Sequence, residues 1–378
     1  MQQEVVFSKN PNTKAAIEEL YQKLSNKRNP LFVLFLASSH YDFQLITQEL
    51  HARFPNSEVV GATTSGEISP MGFTDNTIVL TTMTCSKTKV KGVLLKDVQK
   101  FPILEKNRIL KAASQCGIQA GDPNLHKNSF AIAFTNGLIN REESLPALIH
   151  AIIKNKHFQV AGSCAGDNLN FSETWISLNG ESTSKGGLIL FFQTACKFDI
   201  RKENLYKPMG KNLCITDIDL EQRIIRSIDR QNPLAAFSQK MNMTREQAVN
   251  NTLQHPLGRV IGDDVYMCSI KNFNRDGTVG VYLNILPNSK LEILESTDVI
   301  ETVTNTCQSI TQKIGHPKFI FMVNCVIRTL DLKNRNLCSP VIQIYREYFP
   351  TFCGYSCYGE QLNRLALNQT LVTVTIGE

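Results

Sequence analysis

The sequence predicts an α/β protein in two modules, each a β-sheet with helices packed on it, with an antiparallel meander in the second. Two observations carry this. The first is a triplicated heptapeptide: G-A-T-T-S-G-E at Gly61–Glu67, A-G-S-C-A-G-D at Ala161–Asp167 and G-Y-S-C-Y-G-E at Gly354–Glu360. The second is what surrounds each copy. An apolar strand-like run precedes it by about thirty residues, a helical pattern lies between, and another apolar run follows. The repeated unit therefore reads strand, helix, strand end, glycine turn, strand, and such alternation favours sheets covered by helices.

The opening strands are Leu31–Ala37, Phe130–Asn136 and Phe319–Val326; the closing strands are Thr77–Met83, Gly187–Gln193 and Thr370–Ile376. Between them, Phe43, Ile46 and Leu50 recur at helical spacing, as do Leu145, Leu148, Ile149 and Ile152, and then Val341, Ile342 and Tyr345. A further helix is expected over Asn12–Ser25 on Ile17, Leu20 and Leu24. After the second copy the character changes. Asp219–Asp229 and Asn232–Lys240 read as two helices separated at Pro233, and Thr244 as the N-cap of a third ending at Asn251. A meander follows through Val265–Ile270, the N-R-D-G turn at Asn274–Gly277, Thr278–Leu283 and Leu291–Leu294, and then a helix over Val299–Lys313. A polar stretch near residue 212 divides the chain into modules 1–212 and 213–378.

At 378 residues, with 42% hydrophobic and 20% charged side chains, the composition is that of a globular protein. The net charge of +6 is scattered, which disfavours nucleic acid as a partner. The apolar runs are too short for membrane insertion. The eleven cysteines form no C-x-x-C pair and the N-terminus shows no signal peptide, so reduced thiols and a cytoplasmic location are expected.

The glycine turns admit two readings. Thr63, Thr64, Ser163 and Ser356, with nearby N–H groups, suit a polar nest for a small ligand oriented by Glu67, Asp167 and Glu360. Equally, the glycines permit sharp turns whose carboxylates cap neighbouring N–H groups, and threefold recurrence favours this structural role. Gly162–Gly166 also has the G-x-C-x-G form of a nucleophile elbow, which would make Cys164 a hydrolase thiol. The following D-N-L-N-F-S opens a helix poorly, and neither histidine nor acid is placed to activate the thiol, so no catalysis is expected.

Val59–Ile68, Gly162–Leu169, H-P-L-G-R-V-I-G-D at His255–Asp263, Gly354–Gln361 and Leu367–Thr370 together resemble the FIST family over nearly the whole chain. The resemblance implies a FIST N module, a FIST C module and a ligand-sensing role in signal transduction. The H-P-L-G segment and the ending are most similar to the haem-binding, nitric-oxide-sensing branch (NosP). That similarity implies haem b, a gaseous or small-molecule ligand, and a partner histidine kinase or cyclic-di-GMP enzyme. His255 would then be the iron ligand, its backbone stiffened by Pro256, with Tyr358 among the aromatics lining the pocket. Of the other histidines, His40 begins the first helix, His150 and His157 lie on or just after the second, and His51, His126 and His316 have no partnering pattern. The alternative within the same resemblance is a haem-free sensor or scaffold that binds an amino-acid-like metabolite at the glycine turns.

Overall fold

A computed structural model describes residues 1–27, 29–98, 102–139 and 142–378. It is a mixed α/β structure in which three six-stranded sheets are built to one recipe. Each has a parallel pair at its centre: Phe32–Ser38 beside Glu58–Thr64, Ser129–Thr135 beside Gln159–Cys164, and Phe319–Cys325 beside Cys353–Cys357. Each pair is flanked by the closing strand of its own copy, Ile78–Thr84, Gly187–Thr194 or Thr370–Ile376, running antiparallel. A strand the apolar pattern did not mark (Gln2–Ser8, Thr88–Leu95, Phe198–Asn204) completes that side.

The opposite side is completed by exchange. After each glycine turn the chain forms a short hairpin, and each hairpin pairs with a different copy. Glu67–Ser69 with Gly72–Thr74 joins the third sheet through Ile68 opposite Gly354. Ile176–Leu178 with Glu181–Thr183 joins the first through Ile176 opposite Ala62. Glu360–Leu362 with Leu365–Leu367 joins the second through Glu360 opposite Ser163. The parallel pair would otherwise present an unpaired edge, and the neighbouring copy covers it. The three copies are thus interlocked in a ring.

Side-chain alternation explains why the central strands read as unbroken apolar runs: both faces are buried. Phe32, Leu34 and Leu36 point into a core shared by all three sheets, while Val33, Phe35 and Ala37 meet the helix Phe43–Arg53. Phe32 lies 5.9 Å from Phe192 of the second sheet and 6.2 Å from Phe319 of the third, so aromatic packing ties the ring at its centre. Helices Ser144–Ile153, Val299–Ile314 and Cys338–Tyr348 cover the outer faces of the other two sheets. Asp42 and Asp298 start their helices by accepting the backbone N–H of Leu45 and Glu301, each at 3.0 Å.

The C-terminal module adds a seven-stranded antiparallel sheet with its own apolar core, containing Leu213, Ile225, Phe237 and Ile293. Two helices form on it as expected: Pro233–Met241, and Arg245–Asn250 with a capping box between Thr244 and Gln247. The helix expected over Asp219–Asp229 is instead a turn and the strand Ile224–Ile228. Asp219 accepts the N–H groups of Glu221 and Gln222, an Asx-type turn, and the following residues pair with both neighbouring strands. The polar stretch around residue 212 lies inside the strand Tyr206–Asp219, so its composition reflects a strand with one wet face. All eleven cysteines are free thiols. Among the described residues no helix is long and apolar enough to cross a membrane.

Candidate functional site

The ring brings the three glycine turns together. The first and third exchange backbone bonds, Ser65 N–H to Ser356 O and Ser356 N–H to Gly66 O, both 2.8 Å. The second bonds to the first through Gly166 N–H to Thr63 O at 2.9 Å, and to the third through Cys164 N–H to Gly359 O at 2.8 Å. Gly66 supplies the positive φ of +112° that its turn demands.

The seven turn residues singled out for ligand contact are all buried there, and much of their polar chemistry is spent internally. Glu67 accepts the hydroxyls of Thr64 and Thr77 and the Thr77 N–H; Glu360 accepts the N–H and hydroxyl of Thr370. Each grips a residue ten positions on, at the start of its closing strand. Burial pushes the Glu67 carboxyl up to about 8, against the hydroxyl bonds that lower it, and the Glu360 carboxyl up to about 7. Thr63 bonds to the Trp175 backbone, the Tyr355 hydroxyl donates to Ser163 at 2.5 Å, and Ser356 pairs with Thr329 at 2.7 Å.

Asp167 does something different. Its carboxylate accepts the backbone N–H groups of Phe171, Ser172 and Glu173 at 3.0, 2.7 and 3.0 Å, and the hydroxyl of Tyr358. These bonds hold a strained loop in which Asn168, Leu169 and Phe171 have φ of +57°, +64° and +51°. Left-handed backbone at leucine and phenylalanine is costly and persists only where surrounding bonds over-determine it. The loop presents Phe171, 58% exposed, stacked on the Tyr358 ring at 4.9 Å.

Beside this stack lies a cleft of about 870 Å³, within the usual range for small-molecule sites. It sits beyond the carboxyl ends of the parallel strands of the second and third copies, where open α/β sheets bind ligands, with Gly137 on one side and Val326 on the other. Val326 and Ile327 form an apolar wall against which Tyr282 and Tyr358 pack. Arg223 spans the cleft edge to Glu142 with bonds of 3.0 and 3.3 Å and also donates to the Tyr282 carbonyl, so the fork joins the C-terminal module to the second copy. Lys271, Asn272, Asn274 and Glu221 complete the rim, and Asn368 belongs to the floor.

Of the candidate site residues named from the sequence, Tyr358 alone lines this cleft. His255 does not line it: its Nδ1 faces the Leu294 carbonyl at 3.2 Å, while Leu253, two residues before it, packs on the Val326–Ile327 wall. Pro256 is buried beside it. A carbonyl on Nδ1 leaves Nε2 available to a metal, yet no imidazole faces the cleft and the described residues hold no cluster of metal-ligating side chains. The residues present therefore do not fit a haem held by His255 in this cleft. Cys164 is buried, with its thiol within 3.2 Å of the Thr135 hydroxyl, and burial pushes that thiol far above its ordinary range. Arg223, Glu142 and Asn368 escaped the sequence reading. Asn368 lies in the L-N-Q-T segment already quoted as distinctive, which was the available signal.

No curated protein gives a significant match to the chain. Among solved structures, the crystal structure of cyanuric acid hydrolase from A. caulinodans is similar over 51% of this chain and 71% of that one, at 8% identity and a TM-score of 0.26. The FIST N domain profile matches residues 31–231 and the FIST C domain profile residues 233–363. With these matches spanning most of its length, the chain belongs to the FIST family of sensory signalling domains.

Proposed function

We propose that this protein is a non-enzymatic sensor whose small-molecule ligand sits in the 870 Å³ cleft, and whose occupancy alters how the C-terminal module is joined to the second copy. The observation that carries the reading is the composition of the cleft. Its walls come from both modules, and the Glu142–Arg223 fork crosses between them. A ligand with different affinity for two arrangements of that junction shifts their populations, and the altered surface is what a partner reads. The family resemblance points to a histidine kinase or a cyclic-di-GMP enzyme as that partner. Burial of Cys164 away from the cleft supports the absence of thiol catalysis.

The amino-acid-like metabolite moves, in this reading, from the glycine turns to the cleft, because the polar side chains of the turns are engaged with one another. The haem-based nitric oxide reading rests on His255, which does not line the cleft. Its test is direct: protein expressed with haem supply shows a Soret band that is lost in His255→Ala, or it shows none.

For the cleft itself, protein purified from cell extract is denatured and its small molecules are identified by mass spectrometry, alongside Leu330→Trp, which places a bulkier ring in the cleft lining. A compound retained by the parent and lost from an equally stable Leu330→Trp supports the proposal. Identical small-molecule content in the two proteins overturns it.

A further inference from the structure

Asn272 lines the cleft beside Gly280, and a chain of hydrogen bonds fixes which end of its amide is left for a guest. The chain starts at Asp276. Its carboxylate accepts the Thr278 hydroxyl at 2.7 Å and the Thr278 N–H at 3.0 Å, and these bonds hold the carboxyl below its ordinary range, so it is ionised and can only accept. With its proton committed there, the Thr278 oxygen takes a donor from Asn274, whose Nδ2 lies 2.8 Å away. Asn274 Oδ1 is thereby turned towards Asn272 and accepts from its Nδ2 at 2.7 Å. Reversing either amide would set two oxygens face to face, so the carboxylate at one end orients the amide at the other.

Asn272 Oδ1 is left as an acceptor of fixed polarity. The residue is exposed, and among the described residues no donor reaches that oxygen. It lies over the cleft floor: a Cβ on Gly280, which also lines the cleft, would stand 2.7 Å from it. The lining around it is largely apolar and aromatic. Phe171, stacked on Tyr358 and more than half exposed, is held by the strained loop, and Val326, Ile327 and Tyr282 form the wall. Such a lining suits a flat ring, and the one polar group it orients asks that ring for a donor.

We infer that the cleft takes a flat heteroaromatic compound whose ring N–H donates to Asn272 Oδ1. This rests on the reading of the cleft as the ligand site and adds the ligand class and the residue that selects it. Saturation-transfer NMR titrations of the full chain with indole and with benzofuran, which keeps the frame and puts an oxygen in place of the N–H, test it. Indole should bind the parent protein at least about fivefold more tightly than benzofuran, the discrimination of one hydrogen bond. Asn272→Leu, a change at an exposed position, removes the acceptor; it should erase that preference while benzofuran still binds. Asp276 does not line the cleft. Asp276→Ala frees the Thr278 hydroxyl to turn and both amides to reverse, so it should shrink the preference without touching the probe. Equal affinity of the parent for the two probes overturns the inference without recourse to any variant, as does failure of indole to bind or an unchanged preference in Asn272→Leu. An unchanged preference in Asp276→Ala overturns the relay as the source of the selection. In each of these cases a compound lost from Leu330→Trp keeps the cleft as the ligand site. Failure of both probes together with identical small-molecule content in Leu330→Trp removes both readings.

Discussion

The hydroxyl of Tyr358 donates to the carboxylate of Asp167, tying the third glycine turn to the second across 191 residues of sequence. Asp167 thereby anchors both the strained loop and the aromatic ring on which that loop rests. Burial is the main reason the Tyr358 phenol is held up at about 12, with the Asp167 contact adding to it. Tyr358→Phe removes one donor of several around Asp167. It should cost about 1–2 kcal/mol in urea unfolding, less than breaking a lone buried charge bond. Binding in the cleft should weaken with it, because the Phe171 loop loses a tie.

The raised carboxyls of Glu67 and Glu360 set the pH dependence of stability. Each has an ordinary value of 4.5 in the unfolded chain and holds its proton to about 8 and about 7, respectively, when folded. Between those limits the native state binds more protons than the unfolded one. The contribution is complete below about pH 4.5 and is lost as pH rises through the folded values, with a slope of up to about 1.4 kcal/mol per pH unit per proton. Glu67→Gln keeps a neutral side chain with a donor for Thr64. Chemical denaturation at pH 5.5, 7 and 8.5 should therefore show a flatter profile for the variant, with its stability relative to the parent greatest at the alkaline end.

Exchange of hairpins makes the modules interdependent. A fragment of residues 1–231 lacks the Glu360–Leu362 strand that covers Ala161, Gly162 and Ser163, and its own Glu67–Ser69 hairpin loses its pairing with Tyr355 and Gly354. The fragment should elute as aggregate or bind a hydrophobic dye strongly, and co-expression with residues 233–378 should restore a compact complex. A monomeric, cooperatively unfolding 1–231 fragment would show that the ring is dispensable.

Gly137 sits where no side chain fits. A Cβ there would lie 1.9 Å from the Ala165 carbonyl oxygen and 2.8 Å from the Tyr358 ring. Gly137→Ala must displace backbone, so a loss of about 2–4 kcal/mol is expected in thermal or urea melts. Gly72→Ala is the control for positive φ alone, since its Cβ would meet nothing within 4 Å at φ +129°; it should cost less and leave the cleft intact.

Much of the fold could be read from local pattern. Apolar runs marked the opening and closing strands of all three copies, Thr244 marked a helix start, and the repeated heptapeptide marked the corners. The failure at Asp219–Asp229 has a physical cause. I-I-R-S-I suits a helix or a strand by composition, and pairing of Ile225 with Ile218 and Val279 settled it. The structure brings the turn residues together, and their mutual hydrogen bonds occupy polar groups that the sequence marked for ligand contact.

By itself the sequence determined that this chain contains three related α/β units with glycine corners, because strand burial, helix spacing and turn chemistry all act over a few residues. Only the tertiary structure decided which hairpin completes which sheet, and that Glu142 meets Arg223. Those relations join distant segments, and their free energy comes from edges, charges and polar groups that have no partner until the ring closes.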